Sequence, residues 1–249
     1  MKQVYLHDEQ HKRSLMLKIE QPKGKLIKVF LLVLVVGFIL FVLPVLFFQI
    51  GNQGGFRGVN LAIVGVVQFL LVVPLIYLAM KHLQTNLKSI GLTSAHWKFD
   101  ALLGIGVALG WALVQFTWLI PVTGGAQRTD IAMMLSMFDG KIENVFWYLP
   151  LGIVGGGITE EIYNRGFIIV VLSNILNNTK AGVVIAGCFS VLFFAVGHIP
   201  TNAVEWLDII VPSTAYVLLF IYTKRLTAPI IAHSLWNTLA AFLVYFLYA

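Results

Sequence analysis

Two adjacent glutamates interrupt an apolar run in the stretch 155–172, which reads GGGITEEIYNRGFIIVVL. An ionised carboxylate near the centre of a bilayer costs several kcal/mol or more, so such residues rarely face lipid. Glu160 and Glu161, with Arg165 following, are therefore expected to face the interior of a helical bundle or a water-filled cavity. Ionisable residues in that position indicate a functional site inside a membrane protein.

The composition of the whole chain agrees with a membrane location. Of its 249 residues, 59% are hydrophobic and 11% are charged, whereas soluble domains carry about 25% charged residues. The apolar runs are continuous and lack the alternation of an outer-membrane β-barrel. We therefore predict an all-α, polytopic helical membrane protein of about seven transmembrane helices, with its site inside the bundle. The +6 net charge reflects membrane topology and does not indicate a nucleic-acid partner.

Seven apolar segments reach or approach the roughly 20 residues of a transmembrane helix. They are 26–48, 59–80, 101–120, 145–172, 181–197, 209–222 and 228–248. The fourth segment is too long for one span, and we expect the glycines 155–157 to break it so that a new helix starts at Thr159. Thr129–Phe138 is expected to lie on the membrane as an amphipathic helix or to pack on the bundle as a cap. Residues 26–249 then form a single transmembrane domain.

The distribution of lysine and arginine predicts the orientation of the chain. One side carries Lys2, Lys12, Arg13, Lys18, Lys23, Lys25, Lys28, Lys81, Lys88, Lys98, Lys180, Lys224 and Arg225, and the other carries Arg57, Arg128 and Lys141. The positive-inside rule therefore predicts a multi-pass protein of the cell membrane with a cytoplasmic N-terminus. Residues 1–25 form a cytoplasmic basic tail, in which 14–19 is expected to be a short surface helix or a floppy segment. The single cysteine, Cys188, is expected to be a buried, inert thiol.

The spacing of the charged residues divides the two glutamates into different roles. Glu161 and Arg165 lie four residues apart, so on a helix they share a face and form an ion pair. Glu160 points about 100° away, shares its face with Asn164 and lacks the same counter-ion. We predict a structural role for Glu161 and Arg165 and a catalytic role for Glu160. The alternative is a buried ion-pair network that only fixes helix packing.

Two histidines in apolar segments complete the set of candidate residues. His198 follows Phe194 by one helical turn, and His233 shares a helix face with Asn237. A glutamate and a histidine can activate a water, while a histidine and an asparagine amide can stabilise an oxyanion. These groups are suited to the hydrolysis of an amide bond without a covalent intermediate. Glu160, His198 and His233 would alternatively make a three-ligand zinc site, although no HExxH pattern is present.

Three motifs in order, Glu160-Glu161-x-x-x-Arg165, Phe194-x-x-x-His198 and His233-x-x-x-Asn237, resemble the signature of the CPBP family of CAAX proteases and bacteriocin-processing proteins, also called Abi. The resemblance covers roughly residues 143–245. It implies an intramembrane endopeptidase that acts on a membrane-associated peptide or protein in the bilayer. It assigns water activation to Glu160 with help from His198, a structural ion pair to Glu161 and Arg165, and the oxyanion side to His233 and Asn237. Phe194 supports the site.

The resemblance leaves the metal and the biological role open. Family members are described both as zinc metalloproteases and as metal-free glutamate proteases, and bacterial members are associated with bacteriocin processing or self-immunity. Two other functions remain alternatives: a non-enzymatic immunity or scaffold protein, and a proton-coupled transporter. A transporter would show inverted repeats, and the chain shows none.

One geometric expectation follows from counting residues along the predicted helices. At 1.5 Å per residue, His198 lies about 26 Å from residue 181, whereas His233 lies about 8 Å from residue 228. Both helices are predicted to start on the same side of the membrane. The two histidines can meet only if one segment is tilted, starts deeper in the bundle or re-enters it.

Overall fold

A computed structural model describes residues 16–50 and 54–249, and these residues form helices and no strand. The long helical elements are α1 (Lys23–Ile50), α2 (Val59–His82), α3 (Trp97–Val122), α4 (Thr129–Phe138), α5 (residues 142–175), α6 (Lys180–Gly197), α7 (Ala203–Thr223) and α8 (Thr227–Tyr248). Among the described residues, α1, α2, α3, α6, α7 and α8 are six helices long and apolar enough to cross a membrane. The predicted all-α, polytopic membrane protein is confirmed.

The prediction that the glycines break the fourth segment is wrong. α5 continues through them by means of wide, π-helical turns at Leu151–Glu160 and Ile162–Ile169. Thr159 is not an N-cap, because it lies within the helix and its hydroxyl donates a hydrogen bond to the carbonyl of Val154. Widened turns of this kind occur often at functional sites, and here they lie on both sides of Glu161.

The glycines of α5 allow close helix packing. A Cβ atom at Gly157 would overlap Ser234 of α8, and one at Gly155 would come within 2.8 Å of the side-chain oxygen of Gln68 in α2. Small residues let membrane helices approach closely, which increases van der Waals contact where lipid removes the hydrophobic driving force. The three glycines therefore allow α5 to pack closely between α2 and α8.

The bundle has two ends, which we name after a residue at each. The His198 end contains residues 54–58, residues 123–141 and the last turn of α8, and the α6–α7 turn lies on the same side of the site; at this end Tyr245 donates a hydrogen bond to the carbonyl of Gly140. The Arg225 end contains residues 16–22, 83–96 and the α5–α6 and α7–α8 turns. α5 runs from the His198 end to the Arg225 end.

Several local predictions are corrected by the structure. α7 begins at Ala203 rather than at 209, because the Asn202 side chain accepts hydrogen bonds from the backbone N–H groups of Val204 and Glu205. Cys188 is exposed on α6 rather than buried. α4 is the predicted helix, and its buried Phe138 packs in a cluster with α8, as a cap would.

The described part of the basic tail is neither a surface helix nor floppy. Residues 16–20 are non-helical, with Met16 and Ile19 buried. Asn178 accepts a hydrogen bond from the Met16 N–H at 3.0 Å and donates one to its carbonyl at 2.9 Å. Asn174 binds the backbone of Ile19 and Leu17 in the same way. Residues 1–15 of the predicted tail lie outside the described residues.

The start of α8 explains how the two histidine-bearing helices come together. The backbone N–H of Leu226, just before α8, donates to the carbonyl of Gly91. The Leu226 side chain lies against Gly166, nine residues before the end of α5 at residue 175. Asp100 at the start of α3 accepts two hydrogen bonds of 2.7 Å from Arg225 in the same turn. α8 thus starts deeper in the bundle than α6 does, which brings His233 level with α5's glutamates.

Candidate active site

Three helices converge on the predicted site. α5 carries Glu160, Glu161 and Arg165, α6 carries Phe194 and is followed by His198, and α8 carries His233 and Asn237. The hydroxyl of Ser190 in α6 donates a 3.0 Å hydrogen bond to the carbonyl of Asn164 in α5. This bond fixes the register of α6 against α5, so that Phe194, one turn further on, lies beside the carboxylates.

Glu161 and Arg165 form a fully buried ion pair, with 3.2 Å between Nη1 and Oε1. Arg165 also donates a 2.8 Å hydrogen bond from Nη2 to the hydroxyl of Ser213 in α7. The guanidinium lies over the ring of Phe194 at 4.6 Å and that of Tyr216 at 5.5 Å, where cation–π attraction favours the charge. The arginine thus ties α5 to both α6 and α7.

His233 lies between the two glutamates. Its Nδ1 is 2.8 Å from Oε1 of Glu161, and its Nε2 is 3.9 Å from Oε2 of Glu160. The imidazole ring stacks on Tyr216 with 5.0 Å between ring centroids. One nitrogen is therefore held by the buried ion pair, while the other faces the second carboxylate.

Glu160 has a different environment from its neighbour. Its side chain is 21% exposed, whereas that of Glu161 is completely buried. Its only ion-pair contact among the described residues is the 3.9 Å approach of His233. The side-chain amide of Asn164 donates to the Glu160 backbone carbonyl at 3.0 Å, which agrees with their predicted common face. The Glu160 carboxylate is thus left accessible for a water or a substrate.

His198 lies near the other site residues but does not bond to the carboxylates. Its Nδ1–H donates to the carbonyl of Phe194 at 2.8 Å, and its exposed ring lies 4.3 Å from the Phe194 ring. Phe194 also packs edge-on against His233 at 5.9 Å. Across the described residues, no hydrogen bond joins His198 to Glu160 or Glu161. The assisting role predicted for His198 stays a prediction.

Asn237 lies one turn beyond His233 on α8, as predicted. Its side-chain amide donates one hydrogen bond of 2.8 Å to the carbonyl of Gly152 in α5. An asparagine amide carries two N–H donors, so the second remains for another acceptor. The amide nitrogen and His233 Nε2 both approach Gly156, where a Cβ would meet them at 2.7 Å and 3.6 Å. Glycine at this position therefore keeps these two donor groups close to α5.

The zinc site predicted from the sequence would consist of Glu160, His198 and His233. In residues 16–50 and 54–249, no group of three or more His, Cys, Asp or Glu side chains is arranged to hold a metal ion. Zinc ligands lie about 2.0–2.3 Å from the ion, and Glu160 Oε2 lies 3.9 Å from His233 Nε2. Zinc binding by Glu160, His198 and His233 stays a prediction, and no chemical step below depends on it.

Some residues of the site could not be found from sequence. Ser213 and Tyr216 lie in α7 beside Pro212, in an apolar segment without a recognisable motif. Their importance depends on the side of α7 that meets Arg165, which no spacing rule supplies. The pairing of His233 with Glu161 was also missed, since Glu161 already had a partner in Arg165.

This fold and this cluster define a class: a multi-pass helical membrane protein with a carboxylate–histidine site inside the bundle. Residues 142–239 match the family model of type II CAAX prenyl endopeptidases, Rce1-like. This match supports the resemblance of this part of the chain to the CPBP family of CAAX-protease-like endopeptidases. No curated protein and no solved structure matches the chain.

Proposed function

We propose that the protein hydrolyses a peptide bond of a membrane-associated peptide or protein by means of a water activated by Glu160. The observation that supports this most strongly is the contrast between the two carboxylates. Glu161 is fully buried and shared by Arg165 and His233, so it is not available as a base. Glu160 is partly exposed and has no cationic partner closer than His233.

The reaction would proceed by general base catalysis. Glu160 takes a proton from a water, and the resulting hydroxide attacks the carbonyl carbon of the scissile bond. The tetrahedral oxyanion accepts hydrogen bonds from the second amide hydrogen of Asn237 and, when the His233 ring is protonated on both nitrogens, from His233 Nε2–H. When the carbon–nitrogen bond breaks, Glu160 returns its proton to the leaving amine, which restores the carboxylate.

The buried ion pair would orient His233 for this step. Glu161 accepts a hydrogen bond from Nδ1–H at 2.8 Å, and this bond fixes the ring so that Nε2 faces Glu160. A carboxylate that holds one histidine nitrogen also stabilises the charge when the ring is protonated. His198, at the edge of the site, would help to position the water, as the family resemblance implies.

Unpaired polar atoms support the presence of a binding site at this place. Among the described residues, Glu161 Oε2, Asn164 Oδ1 and Ser234 Oγ are buried without a hydrogen-bond partner. Buried polar atoms without partners are rare in proteins and call for an explanation. All three belong to residues of the cluster or its immediate neighbours, where water or a substrate backbone would satisfy them.

The biological role proposed for this activity is the processing of a membrane-bound peptide, such as a bacteriocin, or self-immunity, in a cell membrane with the N-terminus in the cytoplasm. The family match supports proteolysis but does not choose among these roles. A metal-free glutamate mechanism needs only Glu160, His233 and Asn237, which lie close to one another at the site. A zinc-dependent mechanism remains the competing proposal.

The experiment is cleavage of a membrane-peptide library by the purified protein and by its Glu160→Ala variant, each with and without a chelator. We expect cleavage by the wild type, loss of cleavage in the variant and no effect of the chelator. Inhibition by the chelator, reversed by added zinc, would favour the metalloprotease. Equal function of Glu160→Gln and wild type in cells would instead favour the non-enzymatic immunity or scaffold protein.

A further inference from the structure

Tyr148, near the start of α5, directs its polar end towards the candidate active site. One side of α5 carries four residues at intervals of four, namely Tyr148, Gly152, Gly156 and Glu160. The Tyr148 ring lies along this side, because a Cβ atom at Gly152 would meet its Cε1 at 3.1 Å and its Cζ at 3.6 Å. Phe138 of α4 packs edge-on against the ring, with 5.8 Å between ring centroids. The far end of the ring is therefore held one turn closer to Glu160 than the backbone of Tyr148 is.

Asn237 contacts the same place beside Gly152. A Cβ atom at Gly152 would lie 3.0 Å from the Cβ of Asn237, so the Asn237 side chain and the Tyr148 ring are neighbours. The Asn237 amide nitrogen lies further along α5, beside Gly156. The Tyr148 hydroxyl also interacts electrostatically with the Glu160 carboxylate. The hydroxyl thus lies next to the proposed oxyanion donor and within electrostatic range of the proposed base.

The Tyr148 hydroxyl is available for a ligand. Across residues 16–50 and 54–249 it forms no hydrogen bond, and its side chain is only half-buried. Tyr163, on the same helix, is different, because its buried hydroxyl donates a 2.6 Å hydrogen bond to the carbonyl of Leu34 in α1. A tyrosine hydroxyl at a packed position usually has such a partner. The structure therefore accounts for the hydroxyl of Tyr163 and leaves that of Tyr148 without a role in the fold.

The oxyanion of the proposed reaction lacks a second donor that is always present. Glu161 accepts a hydrogen bond from His233 Nδ1–H, so Nε2 of the neutral ring carries no hydrogen and cannot donate. Asn237 uses one of its two N–H groups for the carbonyl of Gly152. One Asn237 hydrogen then remains for the oxyanion, whatever the charge of the histidine. A phenol O–H is a donor at neutral pH, and Tyr148 holds one beside Asn237.

We propose that Tyr148 is a further catalytic residue, whose hydroxyl donates a hydrogen bond to the tetrahedral oxyanion beside Asn237. The inference rests on the proposed hydrolysis and adds a residue to its site. The scissile carbonyl oxygen then lies towards Gly152, and the water attacks from the Glu160 side. The hydrogen bond strengthens as the carbonyl oxygen gains negative charge, so it stabilises the transition state more than the bound substrate. No proton leaves the phenol.

The test is the cleavage kinetics of Tyr148→Phe, which removes the hydroxyl and keeps the ring. The substrate is a peptide that the wild type cleaves in the library experiment, and kcat and KM are measured separately. Removal of one oxyanion donor lowers kcat about 10²–10³-fold. We expect such a fall in kcat with KM little changed, since a bond made only in the transition state does not contribute to substrate binding. The unfolding curve should match that of the wild type, because the hydroxyl has no partner in the protein.

Tyr163→Phe is the matched control for stability, because it removes a hydroxyl that is bonded to α1. It should unfold more readily than Tyr148→Phe. A similar loss of stability in Tyr148→Phe would overturn the inference, since its hydroxyl would then be bonded within the protein.

The kinetic outcomes separate the inference from the proposed function. A wild-type kcat in Tyr148→Phe, with Glu160→Ala inactive, overturns the role of Tyr148 and leaves the protease. A rise in KM with kcat unchanged also overturns it, because the hydroxyl would then bind substrate and not the oxyanion. If the wild type cleaves no peptide, the proposed function fails and the inference fails with it.

Discussion

The two halves of the site show how neighbouring residues acquire different properties. The fixed half consists of Glu161, Arg165, Ser213 and Tyr216, and the open half consists of Glu160, His198 and Asn237. In the fixed half, the charges are fully buried, paired and covered by aromatic rings. In the open half, the Glu160 side chain is partly exposed, and its ion-pair partner His233 lies 3.9 Å away. One residue of helical rotation therefore separates a fully buried, paired carboxylate from a partly exposed one, with His233 near both.

The largest effect is expected from breaking the fixed half. Arg165→Met would leave the Glu161 carboxylate buried without its cation, which costs about 3–5 kcal/mol of stability. Unfolding in sodium dodecyl sulfate, followed by circular dichroism, measures this loss. The double variant Arg165→Met/Glu161→Gln removes both charges and should recover much of the stability, because replacing a whole buried pair is often nearly neutral. An Arg165→Met protein as stable as the wild type would show that the pair does not hold the fold.

The second largest effect is expected from disturbing the close packing of α5 against α8. Gly157→Ala introduces a methyl group where Ser234 lies, and such overpacking costs about 3 kcal/mol at the upper end of its range. Gly106→Ala is the matched control, because a Cβ there meets no atom within 4 Å. The control should be neutral or slightly stabilising, since alanine is the better helix former. Equal unfolding curves for the two variants would contradict the close approach of the helices.

A smaller effect is expected at the anchor that holds the start of α8 inside the bundle. Asp100→Asn weakens the two hydrogen bonds to Arg225, and hydrogen bonds to charged groups contribute about 1.5–3 kcal/mol. Arg225 is partly exposed, so the lower value is expected. The same unfolding assay measures the loss, and cleavage assays should show reduced activity because His233 follows this anchor on α8. Full stability and activity would show that the anchor does not position His233.

The smallest effect is expected at Cys188, which is exposed on α6. Cys188→Ser should change stability by no more than about 0.5 kcal/mol, as is usual for exposed positions. The unfolding assay used for the other variants measures this change. A loss of about 1 kcal/mol or more would instead fit the buried position expected from the sequence.

Much of the fold followed from the sequence because the bilayer restricts it strongly. Lengths of apolar runs predicted the helices, and the i, i+4 spacing predicted the Glu161–Arg165 pair. The glycines of α5 were misread as a helix break, since the same residue type serves both turns and close packing. Only the partner helices, with Ser234 and Gln68 in place, decide between the two.

The sequence predicted which residues belong to the candidate site, but it predicted fewer of the contacts among them. Three motifs selected Glu160, His198, His233 and Asn237, and the structure brings the first, third and fourth together around α5. The depth at which α8 begins depends on long-range contacts of Leu226 and Arg225. Such contacts have no local pattern in the sequence.

The single-turnover cleavage rate of Glu160→Gln, measured on protein whose unfolding curve matches the wild type, tests most directly whether Glu160 is the base. Removal of a general base lowers the rate by about 10²–10⁴-fold, and a partly exposed carboxylate without a close partner contributes little to stability. We expect a folded protein with this loss of rate. A folded Glu160→Gln protein that cleaves at the wild-type rate would contradict the assignment of Glu160 as the base.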